Sequence, residues 1–529
     1  MAEEFFELFK TPWEPAVPKK KYAVVLSTNG CIEDLEADIF LVYGSGETAV
    51  DRASGMAVDQ LKGPVDVVWD QSTFPVYGHL ATFDARVGPH TVTSAGLALD
   101  YRRPVGSRCV WRIGYDLFQE TRHLLTNGQP AAQASTPTLE LHIELLRHVL
   151  VQARVPFVEI PPRPEGYDFI CCLTHDVDFF GIRRHKFDRT LAGFVVRASL
   201  KTLADLVRGR RPLEEATRNW MALLSLPLVF LKLIPDFWRP FDDYARVEDG
   251  SRSTFFLVPF KGRPGVAPDG TVDAARAVSY EVSEIRAEMR KAAISGSELA
   301  VHGIDAWRDS DAGSAEMKQL TSITGRATAG VRMHWLYLAT DSPRRLEAAG
   351  FDYDSTWGYN DAVGYRAGTS QVFRLPESAA LMELPLSIMD SALFYRSRMD
   401  RTETEAFEDC GRVVANGRRF GGTVVINWHD RSLAPERLWD RFYRNLLTEV
   451  GKGDRAWFST AGGAVDWFRW RRSFRFATGT GPRGVTVETS STRLAGPPAV
   501  VRIHRPTGGP GAPIEELRLD GREAMNVEF

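Results

Sequence analysis

The sequence predicts an α/β protein: a barrel of alternating strands and helices, preceded by a smaller α/β region and followed by a short β-rich segment. Three observations predict it. Apolar runs of strand length recur, several ending in or leading to His or Asp; segments of helical periodicity lie between them; and a proline-rich stretch separates them from an earlier, self-contained pattern. At 529 residues the chain also exceeds what one hydrophobic core usually supports.

The first elements are modest. Met1 to Lys21 is acidic and then rich in Pro and Lys, without the apolar core of a secretory leader, which predicts a cytoplasmic location. From Tyr22 to about Pro162, short apolar runs such as Ala23 to Leu26 and Val65 to Trp69 alternate with turn residues. Leu139 to Val151 then places apolar residues on one helix face. His142 and His148 on that helix read as packing or surface residues. Residues 1–162 form the expected separate α/β accessory domain.

Pro161 to Gly166 is the clearest linker, stiffened by proline and ended by glycine. Tyr167 to Thr174 follows as a buried strand leading into His175-Asp176-Val177-Asp178. Ser253 to Val258, Glu298 to Val301 before His302, and Gly422 to Asn427 before Trp428-His429-Asp430 repeat the pattern. Val282 to Ile294, Ser314 to Ile323, Ser342 to Ala349 and Arg437 to Val450 are the helices between them. In such folds chemistry collects at the C-terminal strand ends. A helical insertion at about 184–243 interrupts the rhythm, with Leu191 to Arg208 basic and amphipathic and Met221 to Ile234 strongly apolar. A hairpin packed on its own barrel, a lid, an oligomer contact or a membrane-surface contact through 190–235 all fit that composition. The barrel spans 163–472, and a small β appendage at 473–529 follows.

The net charge of −3 offers no attraction to phosphate backbones, so nucleic acid is excluded as a partner. Five cysteines without paired spacing read as reduced core residues. No apolar run is long enough to span a bilayer.

The chemistry rests on converging strand ends. Asp176 and Asp178 are two residues apart, so one can hold a cation while the other takes a proton from an activated water. His302, His334 and His429 each close or follow an apolar run in the same region. Imidazole and carboxylate ligands from separate elements suit a divalent metal, zinc first, with iron and cobalt also compatible.

The order of motifs resembles the polysaccharide deacetylase (NodB-homology) family, and more closely its long bacterial branch with an extra N-terminal domain. The matching pieces are Thr174 to Asp178, Ser253 to Phe256, Val301 to Gly303, Gly330 to Trp335, Ala349 to Thr356, Glu383 to Asp390, and Trp428-His429. The resemblance covers about three fifths of the chain. It implies a distorted (β/α) barrel with fewer strands than a full one, and a metal-dependent hydrolase that removes acetyl from an N-acetylated sugar or polysaccharide. It makes Asp176 the general base, Asp178 and His302 metal ligands, Arg332 the residue holding the base, and His429 the acid that protonates the leaving amine. Asp354 and Asp430 are candidates to support that histidine.

One departure bears on the metal. Members of the family place two ligating histidines four residues apart, whereas the residue four beyond His302 is Ala306. Asp305 or His334 is the substitute, His334 being favoured because it too lies beside an apolar run. A chain that lacks a third ligand would be a catalytically silent carbohydrate-binding or polysaccharide-assembly protein. His175 reads as a residue that packs or hydrogen-bonds beside the site, and Trp307, Trp335, Trp357 and Tyr359 as core aromatics or sugar-stacking platforms.

Overall fold

In a computed structural model of the chain, residues 1–84, 90–105, 108–209, 212–478, 484–489, 491, 496–505, 514–521 and 524–528 are described. The protein is a mixed α/β molecule whose main sheet is curled. Its central strand, Phe169–Val177, is buried at all nine positions, as a near-continuous apolar run flanked by parallel neighbours requires. Ser253–Leu257, Glu298–Gly303 and Val331–Met333 follow on one side and Thr423–Asn427 lies on the other, all paired in parallel. The chain from 382 to 389 joins the sheet's two outer regions: Glu383 pairs with Asp354, whereas Ile388 pairs with Ile426.

The register sets the site. Val177 lies beside Leu257, His302 beside Arg332 and Thr174 beside Asn427. The strand ends that carry polar residues therefore reach one rim. The first strand runs through His175 and Asp176 to Val177 and the third includes His302, so both extend beyond their apolar cores.

Helices return the chain between strands. Ser310–Thr324 starts at Asp309, whose carboxylate accepts from Asp311 and Ala312 N–H, and ends at Gly325 in the left-handed region. Glu403–Phe420 opens with a reciprocal Thr402/Glu405 capping box. Ser342–Ala349 has the expected bounds. The stretch expected helical from Val282 begins as a single tighter turn to Ile285 before Arg286–Ile294.

The first region builds a four-stranded sheet in the order Lys21–Ser27, Glu36–Tyr43, Arg108–Ile113, Asp100–Val105. Arg112 is buried there against Asp51 at 3.1 Å. Phe157–Glu159 pairs antiparallel with Ala499–His504, so the close of the first region and the C-terminal segment share a sheet. The Pro161 to Gly166 stretch has no regular structure, as its composition predicts. Even so, Pro161 and Pro162 are buried, and Arg471 donates to the carbonyls of Ile160 and Pro161 as well as Glu7 and Leu8. One apolar cluster runs from Phe5 and Leu8 through Leu139 to Phe169, Phe255 and Ile426.

Two expectations need correction or refinement. Cys31 is exposed and Cys109 half-buried, so only Cys171, Cys172 and Cys410 are core residues, all with free thiols. The insertion is helical as expected, in Arg189–Val196, Thr202–Val207, Leu213–Phe230 and Pro240–Val247. Among the described residues no helix is long and apolar enough to cross a membrane.

Candidate active site

Asp178, His302 and His334 converge. His302 Nε2 and His334 Nε2 each lie 3.5 Å from Asp178 Oδ1, and the imidazole centroids are 4.9 Å apart. One ligand atom from each of the three falls within 4.8 Å of the others. His302 reaches this point because its Nδ1 bonds the Arg332 carbonyl at 2.9 Å, which directs Nε2 inward. The loop after it is anchored by Glu316, which accepts Ile304 and Asp305 N–H. His334 is turned into the cleft by two left-handed residues, Trp335 at φ 64° and Leu336 at φ 55°, a costly backbone for side chains of this size.

These residues fit a cation. Asp178 Oδ1 is buried and receives no hydrogen bond. A desolvated carboxylate oxygen facing two imidazole nitrogens is destabilised until a positive charge joins it. Burial pushes His334 down to about 3, so its imidazole is neutral and its lone pair is available.

Asp176 stands beside this group, 3.8 Å from His302 Nε2. Arg332 donates to its Oδ1 at 3.0 Å and Asn427 to its Oδ2 at 2.7 Å. Arg332 is itself fixed by Thr174 Oγ1, the Ser355 carbonyl and Ser355 Oγ, with Phe256 under its guanidinium. Burial alone would raise the Asp176 carboxyl, but the charges of His302, Arg332 and His429 outweigh it and hold it well below the usual range.

His429 lines the same cavity, whose volume is about 750 Å³. Its Nδ1 meets Asp390 Oδ1 at 2.5 Å, and its backbone N–H donates to Asp390 Oδ2 at 2.8 Å. Ser432 donates to the same carboxylate. Burial would depress the imidazole, yet Asp390 prevails and lifts it to about 10. The ring is therefore cationic at neutral pH and poised to give a proton.

All six expected site residues, Asp176, Asp178, His302, Arg332, His334 and His429, thus border or support one cavity. Other expectations are corrected. Asp305 accepts from Val266 N–H at 3.0 Å and Arg308 at 2.8 Å and stands outside the ligand group, leaving His334 as the third member. Neither Asp354 nor Asp430 supports His429. Asp354 bonds Thr356 and faces Glu383, and Asp430 caps the N–H groups of Phe179 and Phe180. That supporting role belongs to Asp390, the last residue of a motif already noted; an acid closing a short apolar run was its signal.

His175 is a packing residue: buried, stacked on Tyr244 and bonded to the Trp428 carbonyl. Of the four aromatics, Trp335 alone lines the cavity and is exposed. Trp307 and Trp357 are core residues, and Tyr359 donates to the Gln129 carbonyl.

No family model and no curated protein matches the chain. Among solved structures it is similar to a putative polysaccharide deacetylase from Mycobacterium smegmatis, at 19% identity over 59% of this chain and 96% of that one, with a TM-score of 0.37. A probable polysaccharide deacetylase from Pseudomonas aeruginosa matches at 15% identity over 59% and 94%, TM-score 0.36. The Puue allantoinase matches at 16% identity over 59% and 92%, TM-score 0.34.

Proposed function

We propose that the protein is a metal-dependent amidohydrolase that removes the acetyl group from an N-acetylated sugar. The observation that carries this reading is that an ionised carboxylate and a protonated imidazole flank one three-residue ligand group inside one cavity. Asp178, His302 and His334 would hold a divalent cation, which supplies Lewis-acid polarisation of the amide carbonyl and acidifies a water.

The remaining work belongs to the chain's own side chains. Asp176 takes the proton of the attacking water, with Arg332 and Asn427 fixing its orientation. His429, held protonated by Asp390, delivers its proton to the departing nitrogen, because an amine anion leaves poorly. Trp335 offers an exposed ring to the apolar face of a sugar.

The test is acetate release from N-acetylated chitooligosaccharides by protein loaded with zinc. Asp176→Asn lowers turnover by about a hundredfold or more, the usual contribution of a general base; undiminished turnover removes Asp176 from the mechanism. Absence of bound metal together with absence of acetate would leave a silent carbohydrate-binding protein in place of the enzyme.

A further inference from the structure

The insertion between the first two barrel strands gathers exposed apolar surface. Of twenty large apolar side chains exposed among the described residues, twelve lie between Phe187 and Leu233. Val196, Leu200, Leu203 and Val207 form one outward stripe, and Met221, Leu224, Leu228 and Leu231 another. Steps of three and four residues place each set on one helix face. The opposite faces are already used: Phe194 and Ala198 on one side, Ala222, Leu226 and Val229 on the other, pack inward together. These helices are apolar both toward the protein and away from it.

Their charge names the partner. From Lys186 to Leu233 the sequence has nine Lys and Arg against four Asp and Glu, in a chain of net charge −3; Arg210 and Arg211 of these nine lie outside the described residues. Arg197 faces the cavity and Arg218 pairs with Asp440, which leaves seven of the nine cations against the segment's four acids; apolar stripes in a net-basic segment fit an anionic lipid headgroup layer.

The same insertion supplies Arg197 to the candidate active-site cavity, where Arg398 and Arg431 also line the wall that includes His429. Arg437 and Tyr395 adjoin them. Arg398 donates to Ser391 Oγ at 2.7 Å, Arg431 lies 3.7 Å over the Phe179 ring, and the buried Glu436 is 3.8 Å from Arg197 Nη2. The Nε and Nη2 of Arg197 and the Nε of Arg437 are buried without a hydrogen-bond acceptor. Of the other carboxylates at the cavity, Asp188 pairs with His185, Asp176 with Arg332 and Asp390, behind the wall, with His429, while Asp178 belongs to the ligand group with His302 and His334. Burial and then repulsion from Arg437 lower Arg197 to about 10, and Arg437 and Arg431 overcome burial to bring Tyr395 down to about 8. Crowded guanidinium groups with unfilled donors form a receptor for a phosphate.

We infer that the protein works at an anionic lipid surface, seated by the outward faces of this insertion, and that the Arg197, Arg398 and Arg431 wall receives the phosphate joining the acetamido sugar to a lipid carrier. This rests on the deacetylase reading for the sugar alone.

Two equilibrium measurements on the full chain test it. Flotation with phosphatidylcholine vesicles, with and without phosphatidylglycerol, is expected to capture the protein only when phosphatidylglycerol is present. Leu224→Asp/Leu228→Asp, which removes no core packing, cuts the bound fraction about tenfold. Undiminished flotation of that variant overturns the inference, as does self-association of the wild type in place of flotation. In calorimetric titration, N-acetylglucosamine 1-phosphate binds about tenfold more tightly than N-acetylglucosamine, and Arg197→Gln/Arg431→Gln erases the difference. Equal affinities in the wild type overturn it without recourse to a variant. Neither readout needs turnover, so a protein that binds in this way but releases no acetate defeats the deacetylase reading and leaves this inference standing.

Discussion

At the scale of single residues, the two groups expected to move protons are held in opposite charge states by local partners. Asp390 lifts His429 to about 10 from an ordinary 6.5. A raised value means the pair stabilises the native state fully below about 6.5 and loses that contribution as pH climbs toward 10. In metal-free protein the His429 ring is therefore expected to titrate near 10 by NMR, and Asp390→Asn to bring it down by several units. An unmoved titration would show that Asp390 does not set it. Metal content checks the ligand group: His302→Ala and Asp178→Ala are each expected to reduce bound metal about tenfold or more, because each removes one of three protein ligands. Asp305→Ala, outside the group, retains it.

At the scale of elements, placement depends on close packing behind the strands. A Cβ on Gly330 would lie 2.1 Å from the Tyr353 ring, and Gly330 leads directly into the strand Val331–Met333, which carries Arg332 and delivers His334 just past its end. Gly330→Ala is expected to cost about 1–3 kcal/mol in urea unfolding and to weaken metal binding, since the strand must shift away. Arg471, on the helix Ala461–Ser473, binds the carbonyls of Glu7, Leu8, Ile160 and Pro161 and is fully buried, where burial lowers its guanidinium to about 9. Arg471→Ala leaves those carbonyls without a donor, and a loss of about 3–5 kcal/mol is expected from chemical denaturation. A change within experimental error would mean that water substitutes for the side chain.

At the scale of the whole molecule, the first 160 residues and the curled main sheet share one core. Phe5, Leu8 and Phe9 join the same cluster as Phe169 and Phe373, and Glu4 pairs with Arg472 while accepting the Arg374 N–H. A fragment beginning at residue 163 would expose that apolar surface. It is expected to bind a hydrophobic dye and to lose the steep unfolding transition of the full chain, measured by fluorescence and circular dichroism. A fragment that unfolds as sharply as the parent would establish that the curled sheet and its helices fold independently.

The strand–helix alternation, the strand ends bearing His and Asp, and the insertion were legible because hydrophobic period and strand length are local properties. Phe169–Val177, Glu298–Gly303 and Thr423–Asn427 lie where their apolar runs placed them. Local pattern favoured His334 over Asp305 without excluding either; parallel register and the left-handed turn at Trp335 and Leu336 put His334 beside Asp178, while Asp305 turns to Val266 and Arg308. Nor could it assign Asp390 to His429, 39 residues away, or reveal that Arg197 of the insertion joins Arg398 and Arg431 around one cavity. The sequence alone determined which segments are strands and helices and which side chains end them. Which of those ends meet was decided only by the curl of the sheet, because distance between residues remote in the chain is a property of packing and not of local composition.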